Sequence, residues 1–117
     1  MTISSDPADH IPLRPAYFHI LLSLAEGPVH GYGVRQDVEE RTGGAILLAA
    51  GTLYETLQRL QRDGLVEETE PPESVDGASS RWRFYQATRL GRRVLVLEVA
   101  RLEADVAAAR AKLHATG

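Results

Sequence analysis

The feature that most constrains this chain is a short amphipathic helix that runs directly into an extended segment. Within residues 51–66, Leu53, Leu57 and Leu60 recur at helical spacing and form one narrow apolar stripe. The opposite side of this helix is polar, and an Asp-Gly pair ends it before an apolar Leu-Val pair begins a strand. A helix with a buried back and a polar front, followed at once by a strand, is typical of the recognition helix of a winged helix-turn-helix.

Length and composition limit the classes of protein to consider. The chain has 117 residues, enough for one small domain, and it contains no cysteine, which excludes a disulfide framework and a thiolate metal site. The four histidines lack metal-ligand spacing, and no nucleophile–base pair is recognisable, so we expect no metal, no cofactor and no catalysis. The N-terminus does not resemble a signal peptide, and no segment approaches the roughly 20 apolar residues that span a bilayer. We therefore expect a cytoplasmic protein.

The distribution of charge is more informative than the net charge of -3. Residues 77–97 contain five arginines and no acid, whereas acids collect in residues 37–40 and 67–76. Such a local cationic patch can bind phosphates on an acidic protein, because the Debye length is only about 8 Å at physiological salt. A solvated arginine-rich face would have the same composition, so charge alone leaves both interpretations open.

Apolar periodicity and helix breakers predict the remaining elements. Three helices precede a hairpin whose two strands are joined by a long, turn-rich loop. The first predicted helix covers residues 15–26, His30–Gly33 lead into a second helix that ends at Arg41, and the third covers residues 51–63; the predicted strands cover residues 65–70 and 81–87. This order predicts a mainly α fold with a small β-hairpin: a winged helix-turn-helix at residues 15–88, preceded by a flexible arm at residues 1–14.

A long final helix is predicted from Arg89 to about His114, within a C-terminal dimerisation segment at residues 89–117. Its apolar residues step by four and three, which is a heptad seam, and a second apolar stripe lies on another side of the helix. One side can therefore pack on the chain's own body and the other on a second copy. The predicted dimer interface comprises Leu95, Val99, Leu102, Val106 and Leu113.

Several short motifs occur in a characteristic order along residues 17–93. They are His30–Val34, Gly51–Tyr54, Leu57–Leu60, Asp63–Val66, Arg83–Tyr85, and Thr88 with Gly91 and Arg92. Together they resemble the PadR family of transcriptional regulators, in its short form with a single C-terminal helix. The resemblance implies a homodimer that binds an inverted-repeat operator in double-stranded DNA, usually as a repressor and often under the control of a small-molecule effector. The chain departs from the family at Glu55, where proline is usual, and in its acidic wing tip.

The polar front of the third helix supplies the candidate base-reading residues. With the leucine stripe buried, Thr52, Gln58 and Arg59 are the best placed to reach base edges, since arginine can bridge guanine and glutamine can read adenine. An ordinary amphipathic surface helix is the alternative. Tyr54 lies beside the stripe; the resemblance suggests that its hydroxyl meets a phosphate, and a half-buried packing ring is an equal alternative.

The second strand of the hairpin supplies candidate contacts to the DNA backbone. Arg81 and Arg83 alternate with Trp82 and Phe84, so the two arginines share one face of the strand. Together with Ser80 they are predicted to contact phosphates or the minor groove. A solvated strand face is the alternative.

These observations predict a homodimeric transcriptional regulator that acts as a repressor on double-stranded DNA. An alternative function is a winged-helix module that binds proteins and not DNA, since the acidic wing tip would suit a basic partner. A third is a small-molecule binding protein, which would be stabilised by its ligand without any affinity for DNA.

Overall fold

The computed structural model describes residues 3–72 and 83–116. Four α-helices and a small antiparallel sheet follow a 3-10 helix near the N-terminus, so the predicted mainly α winged-helix fold with a long last helix is confirmed. The elements in chain order are the 3-10 helix Pro7–His10, α1 Pro15–Ser23, β1 Val29–His30, α2 Gly31–Arg41, α3 Ala50–Arg62, β2 Val66–Thr69, β3 Phe84–Ala87 and α4 Arg89–Thr116. None of the helices in the described residues is both long enough and apolar enough to cross a membrane.

The leucine stripe of α3 faces the core, as predicted. Leu57 and Leu60 are fully buried and Leu53 is 1% exposed. At the end of α3, Gly64 adopts a φ of 79°, and the N–H of Leu65 donates to the Leu60 carbonyl at 2.9 Å. This left-handed glycine cap stops the helix and turns the chain into β2.

The sheet has three strands in the order β1-β3-β2, all antiparallel. The sequence predicts two of these strands, the hairpin of β2 and β3. In the structure, Val66 of β2 pairs with Ala87 of β3, and Thr69 pairs with Phe84. The third strand, β1, is two residues long and pairs His30 with Phe84. A strand this short has no alternating pattern that could be recognised in the sequence.

The core lies where α1, α2 and α3 meet the sheet and the first turns of α4. Its apolar side chains come from every one of these elements. The fully buried members include Ile20, Leu21, Leu24, Val34, Val38, Leu57, Leu60 and Val94. This packing fixes the orientation of α3 and leaves its polar side on the surface.

The N-terminal arm lies against α4, in contacts that the sequence does not predict. The carboxylate of Asp6 caps the 3-10 helix by accepting the Ala8 N–H at 3.0 Å, and Pro7 is buried. The Leu13 N–H donates to the carboxylate of Glu98 on α4 at 2.6 Å. Residues 3–14 are therefore joined to α4 through a backbone hydrogen bond to a buried acid 85 positions away, while the flexibility of the arm stays a prediction.

A compact junction joins α4 to the end of α3. The Thr88 hydroxyl donates to the Gly64 carbonyl at 2.6 Å and accepts the Gly91 N–H at 3.0 Å, which caps α4. A Cβ atom on Gly91 would overlap the carbonyl oxygen of Leu65, so the first turn of α4 lies directly on that peptide. Beyond Leu102, residues 103–115 are all exposed, so the second half of α4 extends away from the body.

Candidate nucleic-acid interface

The polar side of α3 forms a continuous exposed surface. Thr52, Gln58 and Arg59 are all exposed on this side, opposite the buried leucines. At 100° per residue they fall, together with Glu55, within an arc of roughly 120°. The structure therefore brings the three predicted base-reading residues together on one face that is free to approach a ligand.

An ion pair holds one of these side chains along the helix. The Nη2 of Arg59 donates to the carboxylate of Glu55 at 2.8 Å, and the two side chains are 45% and 63% exposed. An exposed pair of this kind contributes only about 0.3–0.5 kcal/mol. Because a guanidinium has five N–H donors, the pair orients Arg59 and leaves donors available for a base edge.

Tyr54 lies against the first residue of α2. A Cβ atom built on Gly31 would come within 2.6 Å of the Tyr54 hydroxyl oxygen, so the phenol occupies the space that any larger residue would need. His30 caps the same helix end, where its Nδ1 accepts the Gly33 N–H at 3.0 Å. Tyr54 is 43% exposed, so its ring packs against α2 with part of the residue at the surface, and contact of its hydroxyl with a phosphate stays a prediction.

Tyr85 connects this region to the wing. It is 3% exposed, and burial, reinforced by the nearby carboxylate of Glu68, raises the pKa of its hydroxyl. Tyr54 also raises the pKa of this hydroxyl, whereas Arg83 lowers it through its charge and a hydrogen bond. Side chains from α3, β2 and β3 therefore meet at Tyr85. We did not predict Tyr85 or Gly31 as site residues, although both belong to motifs that the sequence makes visible.

Within the part of the wing that the structure describes, Arg83 carries the positive charge. Its Nε lies 3.7 Å from the Glu68 carboxylate across the β2–β3 pair, and its side chain is 72% exposed. So loose and exposed an ion pair is easily exchanged for another anion. The other predicted wing contacts, Ser80 and Arg81, lie outside the described residues.

The predicted seam on α4 divides into two parts. Leu95 is only 8% exposed and packs in the core of its own subunit, and its predicted place in a dimer interface stays a prediction. Val99, Val106 and Leu113 are 39%, 49% and 71% exposed. Val99, Leu102 and Val106 line an apolar groove of about 470 Å³ that also includes Phe18 of α1.

Comparison with known proteins shows what this arrangement resembles. The family model described as "Transcriptional regulator PadR-like family" matches residues 20–96. This range includes α2, α3, the wing strands and the first two turns of α4. "Transcriptional regulator Rv3488" of Mycobacterium tuberculosis (strain ATCC 25618 / H37Rv) is 36% identical to this chain over 85 residues, which are 73% of each protein.

Solved structures share the fold. A PadR family transcription regulator from Clostridium difficile R20291 superposes with a TM-score of 0.70 and 22% identity, over 84% of this chain and 97% of that chain. Bacillus subtilis PadR in complex with operator DNA superposes with a TM-score of 0.59 and 23% identity, over 72% of this chain and 45% of that chain. At these identities the likeness shows the architecture alone.

Proposed function

This chain belongs to the PadR-like family of transcriptional regulators, and from that premise we propose that it is a homodimeric repressor that binds an inverted-repeat DNA operator. The observation that carries the proposal is the exposed face of α3, where Thr52, Gln58 and Arg59 lie together above a fully buried leucine stripe. The family relationship and the operator complex of the Bacillus subtilis protein support DNA as the partner. Acting on DNA would place the protein in the cytoplasm, as the sequence predicts.

We assign direct base reading to α3. In the major groove, Arg59 would donate to guanine and Gln58 would pair with adenine, while Thr52 would contact a base near the start of the helix. The salt bridge to Glu55 holds the guanidinium of Arg59 near the helix surface before binding. That restraint lowers the entropy that the side chain loses when it orders on a base.

Backbone contacts would surround this helix. Tyr54 of α3, which lies beside the first residue of α2, and Arg83 on the wing are exposed polar groups near Tyr85, and both suit phosphate oxygens. To reach a phosphate, Arg83 would exchange its 3.7 Å contact with Glu68 for a stronger anion. Ser80 and Arg81 would extend the same set of contacts along the wing.

The dimer would form through the apolar groove on α4. Val99, Leu102 and Val106 line it together with Phe18, and Leu113 continues the exposed stripe toward the C-terminus. A second copy would cover these side chains by packing its own α4 along them. The two α3 helices would then lie about 34 Å apart, one turn of duplex DNA, which corresponds to an inverted repeat.

Arginine substitutions measured on two kinds of DNA test this assignment. Fluorescence anisotropy would compare the upstream region of the chain's own gene with random duplex. Arg59→Ala should weaken binding to the operator by at least about tenfold and binding to random DNA much less, since a base contact is worth about 1–3 kcal/mol. Arg83→Ala should weaken both by a similar factor and reduce the salt dependence, because a phosphate contact carries no sequence information.

Lys112→Ala is the matched control, because it removes one positive charge from the exposed far part of α4. It should leave both affinities unchanged. Equal losses for Arg59→Ala on operator and random DNA would contradict the assignment of base reading to α3. No binding even at low salt, together with a stable protein partner in a pull-down, would refute the proposed function.

A further inference from the structure

A polar cleft lies between the N-terminal arm, the start of α1 and the last turn of α3. Its volume is about 520 Å³, within the range of roughly 300–1,000 Å³ that small-molecule sites occupy. The arm and α1 contribute one wall, which includes Arg14 and Tyr17, and α3 contributes the other. A molecule in this cleft would therefore contact both the arm and the helix to which we assign base reading.

The cleft is rich in guanidinium groups. Its charged lining consists of three arginines and two acids: Arg14, Arg59 and Arg62 against Asp9 and Asp63. Only Arg59 has an ion-pair partner, Glu55; in the part of the chain that the structure describes, the other two arginines form no salt bridge. Because each guanidinium has five N–H donors and no acceptor, the cleft has a surplus of charged donors.

Asp9 and Asp63 balance two of the three positive charges, so the lining keeps a net charge of +1. Asp9 already accepts a hydrogen bond from the Ser4 hydroxyl at 2.6 Å. The C-terminal end of α3 carries a partial negative charge, which Arg59 and Arg62 offset from within its last turn. The carboxylate or phosphate oxygens of a ligand would match the planar donor pairs of these arginines.

The arm side of the cleft is held in place by the rest of the fold. The Glu98 carboxylate accepts the N–H of Leu13, the residue next to Arg14, and Pro7 is buried at the other end of the arm. A ring nitrogen of His10 lies 2.8 Å from the Ser4 carbonyl, which closes the arm on itself. A wall fixed in this way needs little further ordering when a ligand binds.

We propose that this cleft binds a compact polyanion of the polycarboxylate or phosphate class, held by Arg14, Arg59 and Arg62. Arg59 also belongs to the base-reading face of α3, so a bound polyanion competes with DNA for its guanidinium and weakens operator binding. This coupling to DNA rests on the proposed function, whereas the binding of the polyanion does not.

Calorimetric titration of the full chain with sodium citrate and with sodium pyrophosphate, at constant ionic strength, tests the site. At least one of the two should bind saturably, with about one molecule per chain. Arg14→Gln should weaken this binding by at least about tenfold, because it removes a charged hydrogen-bond donor. Arg35→Gln, which removes an arginine on the exposed side of α2 outside the cleft, should leave it unchanged. Melting temperatures would confirm that both variants remain folded.

Saturable binding that Arg14→Gln does not weaken would overturn the site, and so would the absence of saturable binding with both anions. Repeating the DNA titration at a saturating anion concentration tests the coupling. At an anion concentration that just saturates the unmodified chain, its affinity for operator should fall, and the affinity of Arg14→Gln should fall less. An unchanged affinity in both would overturn the coupling. If the chain bound no DNA at all, the proposed function would fail and the coupling with it, while calorimetry would still decide the polyanion site.

Discussion

Replacing Glu98 by glutamine tests the contact that holds the N-terminal arm on α4. The carboxylate of Glu98 is 1% exposed, accepts the Leu13 N–H at 2.6 Å and pairs with Arg101 at 2.5 Å. Glutamine has nearly the same shape, but it removes the negative charge from both interactions, and its NH2 group replaces one of two oxygens that both accept hydrogen bonds. The variant therefore measures the charge on this contact without opening a cavity.

The size of the effect follows from these two interactions. A hydrogen bond to a charged group contributes about 1.5–3 kcal/mol and a neutral one about 0.5–1.5 kcal/mol, so the Leu13 contact should lose about 1 kcal/mol. The side chain of Arg101 is 35% exposed, so solvent screens its pairing and the loss there should add less than about 1 kcal/mol. We expect Glu98→Gln to lower the free energy of unfolding by about 1–2 kcal/mol.

Urea unfolding followed by far-UV circular dichroism, at a fixed protein concentration, would measure this difference. Hydrogen exchange at the Leu13 amide should become faster in the variant, because its acceptor is weaker. Glu40→Gln is the control: this exposed glutamate on α2 forms no salt bridge among the described residues and should change stability by less than about 0.5 kcal/mol. Unchanged stability together with a fully protected Leu13 amide would refute this explanation of the arm.

Three further substitutions test the junction, a helix cap and the dimer. Gly91→Ala should destabilise the chain by about 1–3 kcal/mol in urea, because its Cβ would overlap the Leu65 carbonyl oxygen. Burial lowers the pKa of His30 from 6.5, and its neutral Nδ1 accepts the Gly33 N–H; its contribution to stability is present above pH 6.5 and should be lost as the pH falls below that value. His30→Asn keeps a capping acceptor that does not titrate, so unfolding measured at several pH values should vary less. Val106→Glu should weaken dimerisation by at least about a hundredfold in light scattering, because it places a charge in the apolar groove.

Matched variants and contrary results make these tests specific. Gly51→Ala, where nothing lies within 4 Å of the added Cβ, should be neutral or stabilising by up to about 1 kcal/mol; an equal effect at both glycines would contradict the packing assigned to Gly91. Burial and the charge of Arg41 lower the pKa of His19, so protonation of His19 also destabilises the fold as the pH falls. His30→Asn should therefore remove only part of the pH dependence of unfolding, and an unchanged pH profile would exclude the cap. Ala104→Glu introduces the same charge on another exposed side of α4, and a Val106→Glu protein that dimerises as tightly as Ala104→Glu would rule out the groove.

The order of the elements was predictable because it depends on local patterns. The leucine stripe, the Asp-Gly stop and the heptad spacing each lie within a few turns of chain, and α3, β2 and α4 form where they indicate. Contacts between distant residues have no such pattern. The hydrogen bond from Leu13 to Glu98 joins residues 85 positions apart, and a period in the sequence does not encode it.

The position of α4 on the body has the same explanation. A heptad seam shows which residues of α4 share a face but not which part of that face the subunit itself covers, and Leu95 of this seam lies in the core. The room that Gly31 leaves for Tyr54 depends on how α2 meets α3. The residues of the candidate interface were therefore predictable, while the supports that position them required the structure.

The spacing of the two half-sites on DNA tests the central claim most directly, because a rigid dimer fixes the distance between its α3 helices. Footprinting on the upstream region would locate the inverted repeat, and anisotropy would compare it with a duplex carrying five extra base pairs between the half-sites. Five base pairs rotate one half-site by about half a turn, so affinity should fall to the value for random DNA. Equal affinity for both duplexes would contradict a dimer whose two α3 helices read adjacent turns on the same face of the DNA duplex.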